Sequence, residues 1–330
     1  MRALVWTGDE LIVEQRPRPR IRPQEALVEV ELAGVCSTDL EIARGYMGFT
    51  GTLGHEFVGR VAEGPSDWLG RRIVSEINFG CGRCIECQTR SGRHCEKRRV
   101  LGILGADGAF AEFVRVPVAN LHAVPDRVAN EAAVFCEPVA AAFEILEQLS
   151  VRQGQRTTVL GDGKLGLLVA QVLSDAGARV LCVGRHSENL EILSSLGIET
   201  QRLDTWRGNH RHSAEIVIEA TGHPEGFSLA LDAVQPRGTL VLKTTLATSP
   251  EIDLAPIVID EIQVLGSRCG PFAPALASLA EERIHVASLI AARLPLARAD
   301  EALTRAGEPG MRKVLIDCTD TAAVNGRSQD

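Results

Sequence analysis

The sequence predicts an α/β protein: a β-rich N-terminal part followed by a doubly wound parallel sheet. Three observations carry that expectation. Through residues 1–125, short apolar or alternating runs are repeatedly broken by Gly and Pro, the pattern of strands joined by turns. From about residue 155, buried apolar runs alternate with helix-period segments, the pattern of a parallel sheet with crossover helices. At the first strand-to-helix step of that series stands a glycine-rich turn, Gly161-Asp162-Gly163-Lys164-Leu165-Gly166.

Taken in order, MRALVWTGDELIVEQ is strand-like, and the runs ALVEVELAGV, FVGRVAEG, RIVSEI and AFAEFVRVP read as further strands. The segment from Arg16 to Pro23, RPRPRIRP, is a connector, because alternate prolines exclude a helix interior. Residues 130–149 read as a helix started or interrupted at Pro138. Then come strand TTVLG, helix GKLGLLVAQVLSDAG, strand RVLCVG and helix SENLEILSSLG, with strands in AEIVIEATG, TLVLKTT and IQVLGS. After Gly270 two helices, FAPALASLAEER and RADEALTRA, precede a last strand, KVLIDC. The polar tail from Thr319 to Asp330 is expected to be disordered.

At 330 residues the chain is long enough for two domains, and 45% apolar with 24% charged residues is ordinary globular composition. A net charge of -8 argues against nucleic acid as the partner. No apolar run approaches the roughly 20 residues that span a bilayer, and no signal-peptide core is visible, so the expected location is the cytoplasm. The nine cysteines are an odd number with no secretion signal, which points to metal ligands and buried thiols rather than disulfides.

The glycine turn follows a strand and opens a helix, the context in which Gly161, Gly163 and Gly166 permit a tight turn and close approach of a dinucleotide pyrophosphate. Lys164 and Leu165 complete the motif. An acid that would hold the ribose 2′-hydroxyl of NAD is expected after the second strand. That strand is followed instead by Gly184, Arg185 and His186. A cation there suits a 2′-phosphate, so NADP is favoured over NAD.

Cys81, Cys84, Cys87 and Cys95 are spaced C-x2-C-x2-C-x7-C, close enough to close a tetrahedral zinc site. An iron–sulfur run would carry its fourth Cys after three residues, followed by Pro; here it comes after seven and is followed by Glu96. A closed thiolate site has no open position, so this zinc is structural. Upstream, Cys36 with His55 and Glu56 offers a thiolate, an imidazole and a carboxylate for a second, open zinc site, with Glu137 the candidate further ligand. Any one of these residues alone is more often structural; the combination ahead of a nucleotide fold is the signal.

The segments GVCSTDLE…LGHEFVGRV, CGRCIEC…C, GADGAFAEFVRVP, the CEP step, VLGDGKLG and GPFAPALASLAEERI…KVLID together resemble the zinc-dependent medium-chain alcohol dehydrogenases over residues 1 to 318. The Glu-Pro at the third-ligand position places the likeness nearest the polyol and threonine dehydrogenase branch. The resemblance implies a GroES-like β-rich catalytic domain at 1–150 and 271–330, with an inserted Rossmann domain at 151–270. It implies that Cys36 and His55 bind the catalytic zinc, that Glu56 lies beside the metal, and that Glu137 is the third ligand or holds its water, with Cys136 ranked second. Thr38 matches the hydroxyl that relays the substrate proton, and Asp39 the acid that orients His55.

Two positions depart from the family pattern. Leu40 and Glu41 stand where relatives carry a proton-passing His, leaving Glu41 as the substitute, and Lys243 stands where a small residue is common beside the nicotinamide; its alternative reading is a surface or salt-bridged lysine. Tyr46, Met47 and Phe49 are candidates for lining the substrate pocket. The implied activity is hydride transfer between a secondary alcohol or polyol and NAD(P), with two zinc ions per chain and a homodimer or homotetramer. The alternatives are an NADPH-dependent aldehyde or ketone reductase, or a catalytically silent nucleotide-binding relative.

Overall fold

The computed structural model describes residues 1–207, 210–245 and 251–319, so all of the expected disordered tail except Thr319 lies outside the described residues. The chain forms two compact units, Met1–Glu137 with Ile290–Asp330, and Pro138–Leu289. The boundaries fall at 137/138 and 289/290 rather than near 150 and 271. Bonds within the second unit give the reason. Lys243 Nζ donates to the Ala141 carbonyl at 2.7 Å, Gln148 to Gly266 at 3.1 Å, and Gln171 to His285 at 3.1 Å. These tie residues 138–148 and 267–289 to the nucleotide-fold sheet.

In the first unit a seven-stranded sheet is built on the long strand Glu25–Gly34. Its apolar residues Leu27, Val28, Val30 and Leu32 are buried, as are Val58 and Val61 of the antiparallel neighbour Glu56–Glu63. The last strand, Lys313–Asp317, returns to pair with the other edge of Glu25–Gly34, so residues from both ends of the chain share one sheet. It is flanked by Ile290–Pro295, a strand whose pattern is not apolar enough to be read from sequence. As an edge strand it buries little, so its residues are under no pressure to alternate cleanly.

The second unit holds a six-stranded parallel sheet. Numbered in chain order, its strands lie in the order 3-2-1-4-5-6. The first strand, Arg156–Leu160, therefore lies between the second, Arg179–Gly184, and the fourth, Ala214–Glu219. This reversal of winding direction is where doubly wound sheets take up ligands, at the carboxyl ends of the strands. The helix Lys164–Asp175 covers the sheet with buried Leu167, Leu168, Val172 and Leu173. The third strand, Glu199–Arg202, is polar and lies at an edge, which hid it in the sequence.

Candidate metal centres and nucleotide site

Sheet register builds the first site. Gly34, at the end of its strand, pairs with Glu56, at the start of the neighbouring antiparallel strand. Cys36, two residues beyond one end, therefore meets His55 and Glu56 at the beginning of the other. Their ligand atoms lie within 4.8 Å of one another. Gly34 is required there: a Cβ would come 2.7 Å from Glu56 Oε2.

Asp39 organises the group. It is fully buried, and its Oδ2 accepts the Cys36 backbone N–H at 2.9 Å, closing the first turn of the helix Ser37–Ile42. Its Oδ1 accepts the Gly54 N–H at 3.3 Å and stands 3.3 Å from His55 Nδ1, near enough for charge pairing although not aligned as a hydrogen bond. Burial lowers the His55 pKa, but Asp39 and then Cys36 outweigh it and hold the ring well above its ordinary value. The Cys36 thiol faces the Thr38 hydroxyl oxygen at 3.7 Å.

Lys313 is the residue that sequence reasoning missed. The register places Leu315 opposite Gly34, so Lys313, two residues earlier, lies level with Cys36. Its buried ammonium donates to Glu56 Oε2 and, at 3.3 Å, to the Val35 carbonyl, and it lies 5.6 Å from the centre of the Phe135 ring. Burial pulls the Lys313 pKa down, yet the charges of Glu56, Cys36 and Glu137 raise it above the ordinary lysine value. The one signal in the sequence is a lysine directly before the apolar run Val314–Ile316 in the strand KVLID.

Glu137 lies outside the 4.8 Å group but acts electrostatically on Lys313. Its neighbour Cys136 is buried, and burial, reinforced by the charges of Glu137 and Glu76, pushes its thiol well above the usual range. Glu41 pairs with Arg44 at 2.6 Å. Phe49 is buried, whereas Met47 is exposed.

The donor set fits zinc. Sulfur, imidazole and carboxylate converge, and the buried Glu56 Oε1 has no hydrogen-bond partner among the described residues. The second cluster fits as well. The sulfurs of Cys81, Cys84, Cys87 and Cys95 lie within 4.8 Å of one another, with Cys84 at 3.5 Å from Cys87 and 3.7 Å from Cys95. Zinc–sulfur bonds of about 2.3 Å imply a tetrahedron edge of about 3.8 Å. Gly80 makes room, since a Cβ there would lie 2.7 Å from the Cys87 sulfur. Backbone N–H groups of Arg83 and Cys84 draw the Cys81 thiol down to about 6. The Cys87 N–H lowers Cys84 too, but the facing Cys87 sulfur, lost hydration and the sulfurs of Cys81 and Cys95 push it up to about 11. Four sulfurs so close cannot all ionise without a cation among them.

In the second unit, Gly161 has φ +117°, and a Cβ there would strike the Ala220 carbonyl oxygen at 2.4 Å. A Cβ on Gly166 would lie 1.9 Å from the Gly161 oxygen, whereas one on Gly163 would meet nothing within 4 Å. Two glycines thus serve packing, and the third leaves open space at the N-terminus of the helix Lys164–Asp175. Lys164 and Leu165, the first residues of that helix, are half-buried. Buried Asp162 accepts the His186 backbone N–H at 2.5 Å and lies 3.2 Å from the His186 ring. Arg185 is exposed, and its carbonyl accepts from Arg202 Nη1 at 2.5 Å, a nitrogen that also reaches Ser187 Oγ at 3.1 Å. Lys243 is not the surface residue that its alternative reading allowed. It is buried, and its ammonium donates to the carbonyls of Ala141 and Arg268 and to Ser267 Oγ.

Residues 22–126 match the family Alcohol dehydrogenase GroES-like domain, and residues 165–283 match Zinc-binding dehydrogenase. Sorbitol dehydrogenase of Halalkalibacterium halodurans is 28% identical over 96% of this chain and 99% of its own length. A zinc-binding dehydrogenase from Sinorhizobium meliloti 1021, solved bound to NADP, superposes with a TM-score of 0.86 at 28% identity, covering 96% of this chain and 98% of that one. The alcohol dehydrogenase of Thermus sp. ATN1 gives a TM-score of 0.86 at 29% identity, covering 96% and 99%. The chain belongs to the zinc-dependent medium-chain dehydrogenase family, with a GroES-like domain and a Rossmann-type nucleotide-binding sheet. It is a zinc-dependent alcohol or polyol oxidoreductase that uses NAD(P).

Proposed function

We propose that the protein is a dehydrogenase of the polyol and threonine dehydrogenase branch that oxidises a small secondary alcohol or polyol, prefers NADP, and holds two zinc ions per chain. The observation that carries the reading is the convergence of Cys36, His55 and Glu56 next to Thr38, within one chain that also has the glycine turn. At that group a zinc ion supplies Lewis acidity toward an alcohol oxygen, and the nicotinamide supplies the hydride acceptor. Cys36 and His55 are assigned as ligands, with Glu137 the third. Asp39 fixes the ring of His55 and the backbone of Cys36. Lys313 holds one oxygen of Glu56, leaving the other to alternate toward the metal. Thr38 Oγ1 takes the substrate hydroxyl proton and releases its own to solvent through a hydrogen-bonded chain. Cys81, Cys84, Cys87 and Cys95 hold the structural ion.

The NADP preference is supported by the end of the second strand, where exposed Arg185 rather than an acid follows Gly184, and where Arg202 Nη1 reaches the Arg185 carbonyl and Ser187 Oγ while its Nη2 pairs with Asp204. A homo-oligomer is supported by the edge strand Gln263–Gly266, beside which Leu254, Val258 and Ile259 are exposed. A cytoplasmic location is supported by cysteines that are all free thiols. No helix among the described residues is long and apolar enough to cross a membrane.

Steady-state kinetics with a panel of secondary alcohols and polyols, each with NAD and with NADP, tests the reading. The expected result is turnover with kcat/KM higher for NADP. A ratio favouring NAD overturns the coenzyme assignment, and absence of turnover in the zinc-loaded protein overturns the enzyme.

A further inference from the structure

The Arg-Pro connector is used by nothing described so far. Arg16 and Arg18 from it, with Arg99 and Arg115, line a cavity of about 290 Å³ in the β-rich unit, together with Asp107 and Phe113. In a chain of net charge -8, this gathering of guanidinium groups runs against the average. The groups are also held in place. Arg18 lies over the Phe113 ring, 4.1 Å from its centre, and pairs with Glu63 at 2.9 Å. Arg115 Nε pairs with Glu25 at 3.2 Å, and its Nη1 donates to the Arg20 carbonyl at 3.0 Å. Pro17 and Pro19 restrict the backbone on either side of Arg18.

The carboxylates do not fill these donors. Glu25 serves two guanidinium groups, Arg115 and, at 3.8 Å, Arg99. Arg16 stands 4.0 Å from Glu14, at the limit of an ion pair. Asp107 Oδ1 already accepts the Thr52 N–H at 3.0 Å. We propose that this pocket is a second ligand site, which binds the phosphate group of a small phosphorylated metabolite. Each guanidinium offers a fork of donors suited to anionic oxygens. Four forks around one cavity supply more N–H groups than the two oxygens of a carboxylate can accept, whereas a phosphoryl group brings three. The volume, at the small end of ligand pockets, suits a metabolite rather than a nucleic acid.

Isothermal titration calorimetry with inorganic pyrophosphate as the probe tests this on zinc-loaded, full-length protein saturated with its coenzyme, so that the glycine turn is already filled. The expected result is one saturable site per chain, weakened at least tenfold in R16Q/R18Q, with melting temperature and alcohol turnover unchanged. The single variant R99Q, from a different segment, should weaken it as well and serves if the double variant fails to fold. No saturable binding in the wild type, or undiminished binding in the variants, overturns the site. Citrate binding as tightly as pyrophosphate overturns the assignment to phosphate. The proposal stands independently of the dehydrogenase reading.

Discussion

Lys313 and Glu56 form a buried ion pair in which neither side chain is more than 1% exposed. Removing one partner of such a pair strands the other charge, at a cost of about 3–5 kcal/mol, whereas replacing both costs much less. Lys313→Met should therefore lower the urea midpoint strongly, and adding Glu56→Gln should recover part of the loss; strict additivity would show that the two do not act as a pair. This pair marks the limit of what residues disclose one at a time. Cys81, Cys84, Cys87 and Cys95 are legible because their ligand atoms are close in sequence and need no tertiary knowledge. Cys36 and His55 are legible because their flanking segments resemble a family. Lys313 is separated from Glu56 by 257 positions, and a lysine ordinarily means surface, so only sheet register reveals it.

The glycine turn divides its labour at the scale of the strand–turn–helix element. A Cβ at Gly166 collides with the Gly161 carbonyl, so Gly166→Ala should destabilise the second unit by about 1–3 kcal/mol through overpacking. Gly163→Ala meets no protein atom, so it should melt like the wild type yet bind coenzyme more weakly in a fluorescence titration. Equal effects of the two on melting would contradict this division. Elements with a buried face were legible here: the central strands of both sheets and the helix Lys164–Asp175 show in the hydrophobic pattern. The edge strands Glu199–Arg202 and Ile290–Pro295 were not, since an edge imposes little apolar alternation. The bond from Asp162 in the glycine turn to the His186 backbone is visible only once strands 1 and 2 are adjacent.

Across the whole molecule, the strand Lys313–Asp317 completes a sheet begun by Glu25–Gly34, and the nucleotide-binding unit is spliced between them. The alternating pattern after residue 155 announces that unit, but its borders depend on bonds such as Lys243 to Ala141, which no local pattern encodes. The two proposed metal centres both lie in the β-rich unit and have different duties: a closed cage of four sulfurs that braces a lobe, and a mixed set of three donors that does not by itself close a tetrahedron. Zinc content and coenzyme-linked alcohol turnover, measured together on the wild type, C36S and C84S, test the central claim most directly. The account predicts two zinc ions per wild-type chain. In C36S it predicts one ion, retained coenzyme binding and no turnover; in C84S, loss of the other ion with a lowered melting temperature. Full turnover by C36S with its zinc at one per chain would contradict it.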